Sequence, residues 1–174
     1  VSEAVARRDV PDGAMTIEEA AALAARLRAT GKRVVLANGC FDLLHVGHVR
    51  YLRDARRLGD VLFVGINADD TVTRLKGAGR PLMPAVERVE MLTALRDVDH
   101  VVLFEEDTAD RLIGAIRPDV HAKGTDYTAE SVPEAAAVGA AGGRVAIAGD
   151  PKDHSTRDLI RLIAERFGAQ KSAR

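Results

Sequence analysis

The sequence predicts an α/β domain built on a doubly wound parallel sheet of about five strands. Three observations lead there. Short runs rich in Val, Leu and Ile alternate along the chain with segments whose apolar residues fall at helical spacing. The runs are apolar throughout, as strands buried on both faces are. Of the 174 residues 47% are hydrophobic and 29% charged, which suits one domain with a sizeable core. Aromatics are only 3%, with no Trp, so that core has to be aliphatic.

The elements follow in order. Thr16 and Glu19 stand at capping-box spacing before an Ala- and Leu-rich stretch that closes on Gly31, a helix. RVVLANG (33–39) is a β-branched run ending in a turn signal, the first buried strand. In the next segment Val49, Leu52, Ala55 and Leu58 share one helical face, and Gly59 stops it. VLFVGIN (61–67) is the second strand. Residues 68–84 read as a polar loop marked by Gly77, Gly79, Pro81 and Pro84. An amphipathic helix (85–99), a strand (100–106), a helix (108–118), a strand (119–124), a short helix within 130–143, a fifth strand (144–149) and a last helix (155–168) complete the pattern. The expected organisation is an N-terminal extension (1–15), a single domain (16–168) and a frayed tail (169–174).

Charge and cysteine usage narrow the function. A formal net charge of −1 argues against a general nucleic-acid binder, which would carry a basic face. No segment has the apolar length of a membrane span, and the first residues lack the apolar core of a secretory signal. With Cys40 as the single cysteine no internal disulfide can form, which fits a cytoplasmic setting. Cys40 itself reads as a small residue at a strand end.

Two of the 5 histidines, His45 and His48, flank Gly47 just after the first strand. Right-handed crossovers put the C-terminal ends of all strands on one sheet edge, where such folds bind ligands. His45 and His48 then lie at a helix start, where free N–H groups and the dipole favour an anion. Gly47 would let a phosphate approach the backbone. A lone histidine there is ordinarily a cap or a surface residue, and His-x-x-His without further ligands supports a zinc site weakly.

NGCFDLLHVGH (38–48) resembles the signature of the cytidylyltransferase-like nucleotidyltransferases, with their His-x-Gly-His at the first strand–helix junction. Within them the chain is most similar to bacterial D-glycero-β-D-manno-heptose 1-phosphate adenylyltransferases. The similarity continues in order through residues 48–60, 67–92, 101–127 and 142–149, and covers about 33–165. It implies a Rossmann-like fold and transfer of AMP from ATP to a heptose 1-phosphate. Magnesium would bind mainly through the nucleotide phosphates, with no metal ligand among the protein residues, and the protein would form a homodimer.

The resemblance also implies roles. His45, His48 and Lys76 would be catalytic, the histidines on the triphosphate and Lys76 on a mobile loop reaching a phosphate. Asn38, Gly39, Phe41, Gly47, Arg88, Lys123, Gly124, Asp126, Ser155 and Thr156 would hold the nucleotide, and Asp42 and Arg80 the acceptor. Plainer readings stand beside these. Lys76 can be a solvated loop charge, Arg88 a helix salt bridge to Glu87 or Glu90, Asp126 a turn cap, and Ser155 or Thr156 an N-cap. Arg53, Arg56 and Arg57 read as a solvated helix face. Arg157 departs from the family, where another Ser or Thr usually follows Ser-Thr; it either strengthens triphosphate binding or faces solvent. Some family members are fused to a sugar kinase, so a separate protein is expected to supply the sugar 1-phosphate here. Two rivals remain open: a cytidylyltransferase acting on glycerol 3-phosphate or another polyol phosphate, and a non-catalytic nucleotide-binding protein.

Overall fold

The structure is a computed structural model that describes residues 10–128, 131–151 and 154–168. Its elements are β1 (Ala14–Met15), α1 (Ile17–Ala29), β2 (Val34–Gly39), α2 (Val46–Arg56), β3 (Val61–Asn67), α3 (Asp69–Lys76), α4 (Ala85–Thr93), β4 (His100–Phe104), α5 (Asp110–Ile116), β5 (Val120–Lys123), α6 (Ala135–Ala140), β6 (Arg144–Ile147) and α7 (Thr156–Phe167). The six strands form one sheet in the order β1-β4-β3-β2-β5-β6, and every pairing is parallel. The expected fold class holds. None of the helices described is long and apolar enough to cross a membrane.

Period two within the strands explains why both faces are covered. On β2, Val34 and Leu36 enter one apolar cluster while Val35 and Ala37 enter the other. On β3, Phe63 faces the first cluster, and Leu62, Val64 and Ile66 face the second. Helices α1, α5 and α6 close one side with Ile17, Ala20, Ala24, Leu112, Ile113, Ile116 and Val138. Helices α2 and α4 close the other with Leu52, Ala55, Val89 and Leu92. Full burial of each large aliphatic side chain contributes about 1.5–3 kcal/mol. Outside the two layers α1 begins as expected: Thr16 Oγ1 accepts from Glu19 N at 3.1 Å and Glu19 Oε2 accepts from Thr16 N at 2.9 Å.

The two sheet edges differ. At the N-terminal edge three carboxylates accept main-chain N–H groups at 2.7 Å each: Asp60 from Arg33, Asp119 from Val34 and Asp99 from Leu62. The chain runs β2 to β3 to β4 on one side of the sheet, then returns to place β5 on the other flank of β2. That reversal opens a crevice at the C-terminal edge between β2 and β5.

Three expectations are corrected. The sheet has a sixth strand, β1, inside the expected N-terminal extension. Two residues are too few to show periodicity, yet Ala14 and Met15 pair with Val101 and Val102, and Val10 is buried in the core. Residues 69–76, read as loop, form α3, with Asp69 and Asp70 in the first turn, Thr71 and Val72 buried, and Gly77 (φ 95°) ending it. Lys76 is therefore the last helical residue, and the loop begins after it. The expected frayed tail, 169–174, lies outside the described residues, as do 1–9.

Candidate active site

The crevice is built where β2 ends. Residues 40–45 cross the sheet edge, with Phe41 (φ 50°) and Leu43 (φ 57°) in the left-handed region, a conformation that costs a non-glycine residue about 1–2 kcal/mol. This turns the Phe41 ring inward, 4% exposed and 5.3 Å from the His48 ring. Asp42, also buried, accepts from Leu82 N and Met83 N, and from Arg80 Nε at 2.5 Å. Burial works to raise its carboxyl, but the Leu82 N–H, Arg80 and the Met83 N–H outweigh it and hold it below the ordinary range. The loop 77–84 is thereby tied to the floor of the site.

His45 is the N-cap of α2, and His48 lies one turn in. Their rings stack, with centroids 3.9 Å apart and planes 25° apart, and the His154 ring lies 6.5 Å from His45. Gly47 makes this possible, since a Cβ there would stand 3.0 Å from the His45 ring and 3.4 Å from His154 Cβ. Burial and the neighbouring His45 push the His48 imidazole down to about 4, so it is neutral near pH 7. His48 Nδ1 accepts from His45 N at 3.4 Å, which leaves Nε2 carrying the proton as a donor.

On the β5 side Asn38 Oδ1 accepts from Lys123 Nζ at 3.1 Å and from His121 Nε2 at 3.0 Å. The Lys123 ammonium has no acceptor, which fixes the oxygen of the Asn38 amide towards it. Lys123 Nζ also meets Glu134 Oε1 at 2.8 Å, and Glu134 Oε2 is a buried oxygen with no hydrogen-bond partner. Burial works to raise the Glu134 carboxyl, and the Lys123 bond and charge prevail to hold it low. Tyr51, partly buried, donates to Ala122 O at 2.8 Å, and desolvation raises its phenol so that it remains a neutral donor. Gly149 (φ 91°) lets the chain after β6 pass the Tyr51 backbone, where a Cβ would stand 3.2 Å away.

At the start of α7 Ser155 is the N-cap, accepting from Asp158 N at 3.1 Å and donating to Asp158 Oδ2 at 2.6 Å. Thr156 Oγ1 donates to Asp42 O at 2.8 Å. These groups surround a cavity of about 460 Å³.

Nearly all the predicted residues come together on it: Asn38, Gly39, Phe41, Asp42, His45, Gly47, His48, Lys76, Arg80, Lys123, Gly124, Asp126, Ser155 and Thr156. Arg88 does not. Its guanidinium is fully buried beneath the site, donating to Met83 O at 3.0 Å, Cys40 O at 2.7 Å and Asp69 Oδ1 at 2.6 Å. With those donors spent on the fold, the nucleotide role is withdrawn, and so is the alternative of a bridge to Glu87 or Glu90. Asp42 is corrected in part: its carboxylate is filled by Leu82 N, Met83 N and Arg80, so it meets the crevice only through Arg80. The Ser155 and Thr156 hydroxyl protons are likewise already donated within the protein. Cys40 is half-buried, and burial raises its thiol.

Arg50, Tyr51, Asn67, Phe104, Asp107, Thr125, Glu134 and Arg157 also line the cavity. Asn67 and Phe104 were findable, since both end strands at the ligand edge. Glu134 carries no sequence signal; only the fold brings it to Lys123.

A family model described as cytidylyltransferase-like matches residues 36–161. Bifunctional protein HldE of Pelobacter propionicus is 50% identical over 140 residues, 80% of this chain and 29% of that protein. The HldE proteins of Geotalea uraniireducens and Edwardsiella ictaluri are 50% and 45% identical over 88% and 91% of this chain. The chain spans 29–33% of the length of these relatives. A solved structure described as the lipopolysaccharide core biosynthesis protein from Thermoplasma volcanium superposes with a TM-score of 0.58 at 28% identity, covering 67% of this chain and 94% of that one.

Proposed function

We propose, from the premise that this chain belongs to the cytidylyltransferase-like family of nucleotidyltransferases, that it transfers AMP from ATP to D-glycero-β-D-manno-heptose 1-phosphate. The products are an ADP-heptose and pyrophosphate. The observation that carries the reading is the stacked pair His45 and His48 on the first turn of α2, beside the crevice between β2 and β5. Similarity to the HldE proteins and to a lipopolysaccharide core biosynthesis protein supports the sugar substrate.

The chemistry suits these groups. An oxygen of the sugar phosphate attacks the α-phosphorus of ATP, and the bond to the bridging oxygen breaks. Pyrophosphate leaves with the electron pair. The nucleophile is already an anion, so no strong base is needed, and the protein's task is to align two repelling anions and offset charge at the phosphates. His48 Nε2–H and the free N–H groups of the α2 start are donors for the α-phosphate, and a neutral imidazole donates there without deprotonating. Lys76, at the end of α3, supplies a positive charge from the opposite wall.

Magnesium fits as a cation carried by the nucleotide phosphates. Among the described residues no cluster of three or more His, Cys, Asp or Glu is placed to hold it, and of the five crevice carboxylates Asp42, Asp107, Glu134 and Asp150 are paired with a cation. When bound it offsets charge on the β- and γ-phosphates.

A cytoplasmic homodimer belongs to the same proposal. The use of ATP and the single cysteine support the compartment, and Leu162, Ile163 and Phe167, exposed on α7, support self-association. A monomer by light scattering would overturn the assembly.

The test is pyrophosphate release with magnesium, crossing ATP and CTP against heptose 1-phosphate and glycerol 3-phosphate. Release with ATP and the heptose phosphate alone is the expected result. Release with CTP and the polyol phosphate overturns the substrate but keeps the mechanism. Nucleotide binding without release from any pair overturns the reaction.

A further inference from the structure

The crevice is lined, among the described residues, by five lysine and arginine side chains: Arg50, Lys76, Arg80, Lys123 and Arg157. Three already hold a carboxylate. Arg50 meets Asp150 at 3.0 Å, Arg80 meets Asp42 at 2.5 Å, and Lys123 meets Glu134 at 2.8 Å. Among the described residues Lys76 and Arg157 have no carboxylate partner. They sit on opposite walls, Lys76 at the end of the helix that follows β3 and Arg157 in the first turn of the helix that follows β6. His45 and His48 lie on the α2 turn, which follows the central strand β2.

We propose that Arg157 binds the β- and γ-phosphates of the nucleotide and the pyrophosphate they become. This rests on the nucleotidyl-transfer reading above. In-line displacement requires the attacking and leaving oxygens to lie on opposite sides of the α-phosphorus. With that phosphorus held at the histidine turn, an acceptor entering along the β3 and β4 wall, past Lys76, Asn67 and Asp107, directs the leaving group towards the start of α7. The hydroxyl protons there are unavailable, since Ser155 donates to Asp158 and Thr156 donates to the Asp42 carbonyl. What that turn can offer a dianion is main-chain N–H and the Arg157 guanidinium, whose planar donors match two phosphate oxygens at once. Arg157 thus does at this turn what a row of hydroxyls cannot. Among the described residues its charge has no competing carboxylate to displace, in contrast to Arg50, Arg80 and Lys123.

The test compares the parent chain with Arg157→Ala and Arg157→Lys, measuring affinity for ATP, ADP, AMP and inorganic tripolyphosphate, together with KM for both substrates. The expected result is ATP and tripolyphosphate binding weakened about 10–100-fold in Arg157→Ala, with partial recovery in Arg157→Lys. AMP affinity and the KM for the sugar phosphate stay within twofold. Equal weakening of ATP, ADP and AMP overturns the proposal, because the contact would then be to the α-phosphate or the nucleoside. Unchanged binding of ATP and tripolyphosphate overturns it as well, leaving Arg157 a surface charge, as does a parent chain that binds neither. If the parent binds tripolyphosphate through Arg157 yet releases no pyrophosphate with any substrate pair, the reading of the reaction fails and the anion site stands.

Discussion

His48 shows how one side chain can be readable as to type and position while its state depends on the fold. The pair around Gly47 is legible because the signal is local: a strand end, a glycine and two imidazoles within eleven residues of Asn38. Its protonation is not legible, since burial and the stacked His45 ring depress it only after α2 has formed. His121 is also pushed down to about 4, by burial and then by Lys123. Both histidines bind a proton in the unfolded chain near 6.5, so between pH 6.5 and about 4 the unfolded state holds more protons. Their contribution to stability is present above pH 6.5 and is lost as the pH falls towards 4. The melting temperature is expected to drop across that window, and His48→Gln to flatten the slope. At neutral pH the same variant is expected to melt near the parent temperature, with kcat lower by about 10²–10³. Arg88 is the opposite case. Its partners Cys40 and Asp69 are distant in sequence, so a buried fork reads from the sequence as an exposed helix charge. Arg88→Ala is expected to lower stability by roughly 3 kcal/mol, read by denaturant unfolding, because a fully buried side chain is removed and the Met83 and Cys40 carbonyls and the Asp69 carboxylate lose their donor.

Elements were legible where they were long and punctuated. The capping box of α1 and the glycine after α2 mark their ends by local chemistry. α3 is not legible, because eight residues with two buried side chains give little period, and the glycines that follow it colour the whole segment as loop. What holds that loop is Asp42, thirty-eight or more residues away along the chain, which accepts from Leu82 and Met83 and pairs with Arg80. Asp42→Asn keeps the size and one acceptor oxygen but loses the charge. It is expected to cost about 1–3 kcal/mol and to expose residues 77–84 to limited proteolysis. The KM for the sugar phosphate should rise with it, because Arg80 is no longer held on the crevice wall. Unchanged proteolysis and unchanged KM would together remove Asp42 as the anchor of the loop.

At the scale of the molecule, alternation of strands and helices made the doubly wound class legible, whereas strand order was not. No local residue pattern tells β5 to pair with β2 on the flank that β3 leaves free, and β1 is too short to announce itself. That order decides the chemistry, since it divides the crevice into two walls. Asn67, Lys76, Phe104 and Asp107 follow β3 and β4, and Lys123, Asp126, Glu134 and Arg157 follow β5 and β6. The paired, partly neutralised β5 wall suits a nucleoside, whose hydroxyls and ring want acceptors and donors more than net charge. The β3 wall offers Asn67, an amide 5% exposed whose bonds to Glu106 O (3.4 Å) and Cys40 Sγ (3.7 Å) are both long, a group that gains from meeting a sugar hydroxyl. Asn67→Ala is therefore expected to raise the KM for the sugar phosphate about tenfold with the ATP KM unchanged, and Glu134→Gln to do the reverse. Because Asn67 ends β3 and Glu134 caps α6 beyond β5, on the two flanks of β2, their effects should multiply in the double variant. If Asn67→Ala instead weakens ATP, the two substrates bind in the opposite walls, and the in-line path through the histidine turn runs the other way.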